Sequence, residues 1–223
     1  MRLLEILEKE SNPAVFTFGR FNPPTIGHGK LLDKVASIGM PYYVFVSHTT
    51  DKKKNPLDYD TKISFMKRGF GQHTNEIVQN EGIRTIIQVM QYLEQQGHNV
   101  VTMVAGSDRV SSFNDLLQKY NGQEYNFDEI KVVSAGDRDP DSDGATGASA
   151  SKAREAAAKG DAKGFAQIVK GDSGLVDDMY NAVRLGMGVK EEAAGVGIVT
   201  KQNTTKDVGP GTLKKMMKKL RLR

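Results

Sequence analysis

The chain has 223 residues, 38% of them apolar and 26% charged. That is enough for one α/β domain with appendages and a buried core that needs no covalent staples. Cysteine is absent, which excludes disulfides, thiolate nucleophiles and cysteine-ligated zinc or iron–sulfur centres. The formal charge of +4 hides an asymmetry: from Lys201 to Arg223, eight Lys and Arg stand against Asp207 alone, so residues 1–200 are net acidic.

In chain order, residues 2–9 put Leu3, Leu4 and Leu7 on one side of a short amphipathic helix, and Asn12-Pro13 breaks it. Ala14–Phe18 reads as a buried strand running straight into a glycine-rich loop, and Gly27–Ile38 has helical spacing. Tyr42–Val46 is a second strand, residues 48–57 a polar lysine-rich loop, and Asp58–Phe70 a helix. Ile83–Gln96 is the next helix, closed by Gly97 as a C-terminal cap. Val100–Ala105 is a third strand, Ser111–Tyr120 a helix and Ile130–Ser134 a fourth strand. Residues 136–147 form a polar loop, followed by helices at Ser149–Lys159, Ala162–Val169 and Leu175–Leu185. Beyond about residue 188 the chain reads as a loosely ordered extension with a short basic helix at its end.

Strands alternating with helices predict a Rossmann-like, doubly wound parallel sheet over residues 13–187, with an N-terminal helix in 1–12 and C-terminal helices. Ligands of such sheets bind beyond the carboxyl ends of the strands. The two most unusual loops, 19–27 and 106–109, both lie there. No apolar run approaches the roughly 18 residues of a membrane span. The first ten residues carry three glutamates and no signal-peptide core. The expected location is the cytoplasm.

Four constellations carry chemistry. Phe18-Gly19-Arg20-Phe21-Asn22-Pro23-Pro24-Thr25-Ile26-Gly27-His28 leads from strand to helix. A helix N-terminus offers backbone N–H groups and a positive dipole end to an anion, and the glycines let phosphate approach the backbone. Gly147-Ala148-Ser149-Ala150-Ser151-Lys152-Ala153-Arg154 opens a later helix, where the small hydroxyls also read as ordinary caps. Gly106-Ser107-Asp108-Arg109 follows the third strand, with Asp108 either a ligand for hydroxyls or a helix cap. Lys52-Lys53-Lys54-Asn55-Pro56-Leu57 follows the second strand, either facing phosphate or solvated. The acidic run from Asp137 to Gly144 lacks the glutamate that closes an EF-hand and reads as a solvated loop.

The first segment resembles the G-x-F-[DN]-P-x-[HT]-x-G-H signature of the HIGH-motif nucleotidyltransferases, with Thr25 where many members have histidine. Ser149, Ser151 and Arg154 resemble that superfamily's I-S-S-T-x-x-R signature, though Ala148 and Ala150 depart from it. The resemblance implies transfer of a nucleoside monophosphate from ATP or CTP to a small phosphorylated acceptor, with release of pyrophosphate. It implies that His28, Thr25 and Arg154 are catalytic, that Phe18, Gly19, Arg20, Phe21, Asn22, Gly27, Gly106, Asp108, Arg109, Ser149 and Ser151 bind nucleotide, and that Lys52, Lys53 and Lys54 meet the acceptor. Mg2+ would be the cofactor, held mainly by phosphates rather than by a protein metal site. G-R-F and G-S-D-R lean toward ATP, with nicotinamide mononucleotide as one acceptor; cytidylyl transfer and pantetheine-phosphate adenylylation stay open.

The phrases FGRFNPPTIGH, AGSDRV and SASKAR together are similar to cytidylyltransferase-like proteins of tailed bacteriophages. A reading from another class is therefore a packaged virion protein, since MRLLEILEKE resembles the targeting helices of phage internal head proteins. The basic tail reads as a solvated end or a docking helix, with phosphate contact to nucleic acid as the alternative. A homo-oligomer is left open.

Overall fold

The computed structural model describes residues 10–136 and 149–189, all within one compact unit. The expectations for the N-terminal helix and its packaging role, the acidic loop and the basic tail lie outside those residues. Four strands, β1 (Pro13–Gly19), β2 (Tyr42–Val46), β3 (Val100–Ala105) and β4 (Glu129–Ser134), form one sheet in the order β2-β1-β3-β4. Every pair is parallel, with Phe18 beside Phe45 and Val15 beside Thr102. This is the expected doubly wound α/β fold.

Helices cover both faces, because the strands are apolar on both. Val15 and Val104 pack against Val35 of α1 (Ile26–Ala36). From the opposite face, Ala14, Phe16, Val101 and Met103 meet Val89, Met90 and Leu93 of α3 (Ile86–Gln95) and Leu117 of α4 (Val110–Tyr120). The helix α2 (Tyr59–Gly69) lies against β2. A separate apolar cluster joins Leu57 and Phe65 to α5 (Ala150–Lys159), α6 (Ala162–Ala166) and α7 (Ser173–Met187).

Local chemistry sets the boundaries. Thr85 caps α3 in a capping box with Gln88, so the helix starts three residues later than its apolar pattern, and Ile83 is buried ahead of the cap. Gly97 has φ +86° and its N–H reaches the Glu94 carbonyl, the left-handed turn that ends α3 as expected. The helix α6 stops at Ala166, short of the expected Val169, while α7 starts two residues early because Asp172 caps it. Among the described residues no helix is long and apolar enough to cross a membrane.

Chain direction creates the site. From β1 the chain winds outward to β2, crosses back to β3, and continues outward the other way to β4. The loops leaving β1 and β3 therefore diverge, and the crevice between them is the topological switch point of the sheet.

Candidate active site

An open cleft of about 290 Å3 occupies that crevice. The loop after β1, the first turn of α1, the turn after β3, the end of β4, the first turn of α5 and the end of the lysine loop all line it. Gly19 permits the approach: a Cβ there would lie 2.9 Å from the Phe21 ring, which folds back over it. Phe21 is buried with φ +46°, a conformation rare for an aromatic residue and held here by its surroundings.

Thr25 is the N-cap of α1. Its hydroxyl accepts from the His28 N–H, and its own N–H donates to His28 Nδ1 at 3.0 Å. This is a capping box with histidine in the place usual for Glu or Gln. Because Nδ1 accepts, the neutral ring carries its proton on Nε2. The Phe21 ring, edge-on at 4.9 Å, braces the imidazole. In the first turn, the Ile26 N–H is taken by the Ile168 carbonyl, and the Gly27 amide on the cleft wall remains as the donor to an anion.

Arg154 reaches the cleft from α5. It donates to the Asn22 carbonyl at 2.6 Å and to Ser151 Oγ at 3.1 Å. Burial first, and then the neighbouring Arg20, pull its pKa below the usual arginine value, with Asp51 partly offsetting them. Arg20, Lys30, Lys54 and Arg154 all line the cleft. Among the described residues none of the four has a carboxylate partner. Cations that outnumber the carboxylates of the described cleft wall make a site complementary to a polyanion.

Most of the residues expected from sequence are brought together. Phe18, Gly19, Arg20, Phe21, Thr25, Gly27, His28, Gly106, Asp108, Arg109, Ser151 and Arg154 all border the cleft. Asn22 borders it with its side chain already used: Nδ2 donates to the Leu57 carbonyl and Oδ1 accepts the Leu57 N–H. Asp108 does not cap α4, whose N-cap Arg109 makes no side-chain cap bond; its carboxylate is open to solvent beside Arg109. Ser149 is not brought to the cleft. It is the N-cap of α5 and accepts the Lys152 N–H at 3.1 Å, so the capping reading describes it.

Of the three lysines only Lys54 borders the cleft. Asp51 decides this. Its backbone pairs with Asn55, and its carboxylate accepts from the Lys53 and Lys54 amides and from Asn55 Nδ2. Those bonds, that of Lys54 foremost, hold the Asp51 carboxyl at about 2. The resulting turn presents one lysine and leaves Lys52 and Lys53 off the wall. Asp51, Lys30 and Asn55 were not anticipated. Lys30 had a signal, since it stands three residues after Gly27 and so shares its helix face.

One lysine that the sequence reading did not single out is buried. Lys62, in the middle of α2, is fully buried and donates to the carbonyls of Ser47 and Thr49, where the chain leaves β2. Burial lowers its pKa to about 8. Among the described residues no group of three or more His, Asp or Glu could hold a metal. Among the described residues that line the cleft, Asp108 is the one carboxylate.

Two complexes of Plasmodium falciparum nicotinic acid mononucleotide adenylyltransferase are similar to this chain, and the first of them shares its fold. The one with NaAD has a TM-score of 0.53 at 14% identity, covering 78% of this chain and 97% of that one. The one with APC has a TM-score of 0.49 at 12% identity, covering 80% and 96%. No curated protein matches the chain by sequence. The sequence model of the cytidylyltransferase-like family matches residues 16–156, from β1 through most of α5. The chain belongs to the cytidylyltransferase-like family, and its class of activity is nucleotidyl transfer.

Proposed function

We propose that this protein moves an adenylyl group from ATP to a small phosphorylated acceptor and releases pyrophosphate, with nicotinic acid or nicotinamide mononucleotide as the first acceptors to test. The observation that carries the reading is the gathering of Arg20, Lys30, Lys54 and Arg154, unpaired, around the α1 N-terminus. ATP is preferred to CTP because the G-R-F and G-S-D-R segments, which border the cleft, resemble those of adenylyltransferases. One solved structure sharing the fold is an adenylyltransferase held with NaAD, which guides the choice of acceptor.

An oxygen of the acceptor's phosphate attacks the α-phosphorus of the triphosphate. A P–O bond forms there, the bond to the α,β-bridging oxygen breaks, and its electron pair leaves with pyrophosphate. A phosphate monoester is already ionised at neutral pH, so the protein needs no strong general base. Its task is positioning and electrostatics. His28 offers Nε2–H, fixed by the Thr25 box, and the Gly27 amide offers a second donor. Arg154, held against Asn22 and Ser151, and Arg20 stabilise charge developing on the leaving pyrophosphate. Asp108 can accept from ribose hydroxyls. Lys54 holds the acceptor's phosphate. Mg2+ bound with the triphosphate would supply neutralisation of phosphate charge, and Asp108 is the carboxylate that the described cleft wall could offer it.

The test is pyrophosphate release with Mg2+, crossing ATP and CTP against nicotinic acid mononucleotide, nicotinamide mononucleotide, phosphopantetheine and a panel of sugar and alcohol phosphates. Turnover with ATP is the expected result. Turnover with CTP alone overturns the base assignment, and no turnover together with no His28-dependent ATP binding overturns the whole reading.

A further inference from the structure

Three buried polar side-chain atoms among the described residues have no hydrogen-bond partner: Ser47 Oγ, His48 Nε2 and Asn55 Oδ1. All three lie on the connection between β2 and α2. Ser47 and His48 do not border the cleft, and the His48 ring lies flat on Tyr59 at 3.8 Å. Asn55 does border it, directly after Lys54, and is only 3% exposed.

The orientation of the Asn55 amide is fixed. Its Nδ2 donates to Asp51 Oδ2. An ionised carboxylate can only accept, so the nitrogen end must face Asp51 and the oxygen end must face away from it. The turn is also held from outside. The Leu57 backbone is gripped by Asn22, and Gly186 of α7 sits so close to Pro56 that a Cβ there would lie 2.1 Å from its carbonyl oxygen. Asn55 thus cannot easily turn to find a partner within the protein. A buried acceptor left unpaired is costly unless a ligand completes it.

We propose that Asn55 is a specificity-determining residue, whose Oδ1 accepts a hydrogen bond from a hydroxyl a few bonds away from the acceptor's phosphate. This rests on the reading of Lys54 as the acceptor-phosphate residue. A phosphate on Lys54 brings the next atoms of the same molecule to Asn55, its neighbour in the chain. The acceptor class is then a sugar or polyol phosphate rather than a plain alkyl phosphate. Correct acceptors are selected because one lacking the hydroxyl leaves the amide oxygen unpaired.

The experiment is calorimetric binding to the full chain, saturated with a non-hydrolysable ATP analogue. The probes are inorganic phosphate, glycerol 3-phosphate, ribose 5-phosphate and propyl phosphate. The two hydroxylated phosphates are expected to bind about tenfold more tightly than propyl phosphate. Asn55→Leu is expected to bring that ratio to about one, whatever it does to the affinity for inorganic phosphate through the lost Asp51 bond; a purely structural role for Asn55 would weaken all four probes alike and leave the ratio standing. Should Asn55→Leu not fold, Asn55→Ser withdraws the carbonyl with less disturbance and reads the same ratio. No preference in the wild type, or a preference that survives both substitutions, overturns the proposal. Absence of all phosphate binding also overturns it, while ATP-analogue binding that depends on His28 would leave the nucleotidyl-transfer reading standing.

Discussion

His28 and Arg154 are held in the cleft by bonds that aim them. The imidazole is locked through Nδ1 by Thr25, and the guanidinium is split between Asn22 and Ser151. His28→Ala and Arg154→Ala are each expected to lower kcat by about 100- to 1,000-fold, with far-ultraviolet circular dichroism unchanged. Wild-type turnover in either variant would remove that residue from the site. Arg154→Lys should not restore the rate, because an ammonium cannot bridge Asn22, Ser151 and a phosphate as a planar fork can. Lys62 makes a different prediction. Its pKa falls from 10.5 to about 8 on folding, so between those values the unfolded chain binds more protons than the folded one. Stability contributed at this position therefore rises as pH climbs from 8 to 10.5, by up to about 3 kcal/mol. Urea midpoints of the wild type and Lys62→Met, measured across that range, should diverge by this slope; parallel curves would show that Lys62 does not titrate there.

Among the elements, the turn from Asp51 to Leu57 has the most consequence for its size. A lysine-rich loop would ordinarily be solvated and mobile, yet this one is pinned by the Asp51–Asn55 pairing, the Asn22 clamp and α7. Gly186→Ala must push Pro56 away from α7, and is expected to cost about 1–3 kcal/mol of stability in urea unfolding. It should also raise the KM for the acceptor more than that for ATP, because the displaced turn carries Lys54 but not the triphosphate residues. Equal changes in both constants would show that the turn does not serve the acceptor. The sequence placed this loop correctly between β2 and α2. It could not choose among three consecutive lysines, which carry no periodicity. The choice is made by where the Asp51 carboxylate gathers its neighbours' amides.

At the scale of the whole molecule, the described residues are close to neutral, with 19 Lys and Arg against 18 Asp and Glu, yet four cations without a carboxylate partner among them gather in one cleft. Attraction of ATP is then local and open to screening. The KM for ATP should rise several-fold between about 50 and about 300 mM KCl, over which the Debye length falls from roughly 14 to roughly 6 Å. A flat KM over that range would contradict an electrostatic origin of binding. Switching helix sides between β1 and β3 puts those cations together, drawing residues from positions 20, 30, 54 and 154 into one crevice.

The sequence by itself determined the α/β class, strands β2 and β3 to the residue, and the loop from Gly19 to His28. Those features are local: alternating apolar runs, a Pro-Gly-rich turn and a capping threonine act over a few residues. Only the tertiary structure decided which chemistry-bearing residues face the cleft. Ser149 and Ser151 are two residues apart, but one spends its hydroxyl on a helix cap and the other borders the site. Asp108 caps nothing although it precedes a helix, and Lys62, inside a segment read only as helical, is buried on the carbonyls at the end of β2. Asn55 acquires its unpaired oxygen only because Asp51 fixes the other end of the amide. In each case a side chain's role depends on a partner brought close by the fold, and a linear pattern does not encode that partner's position.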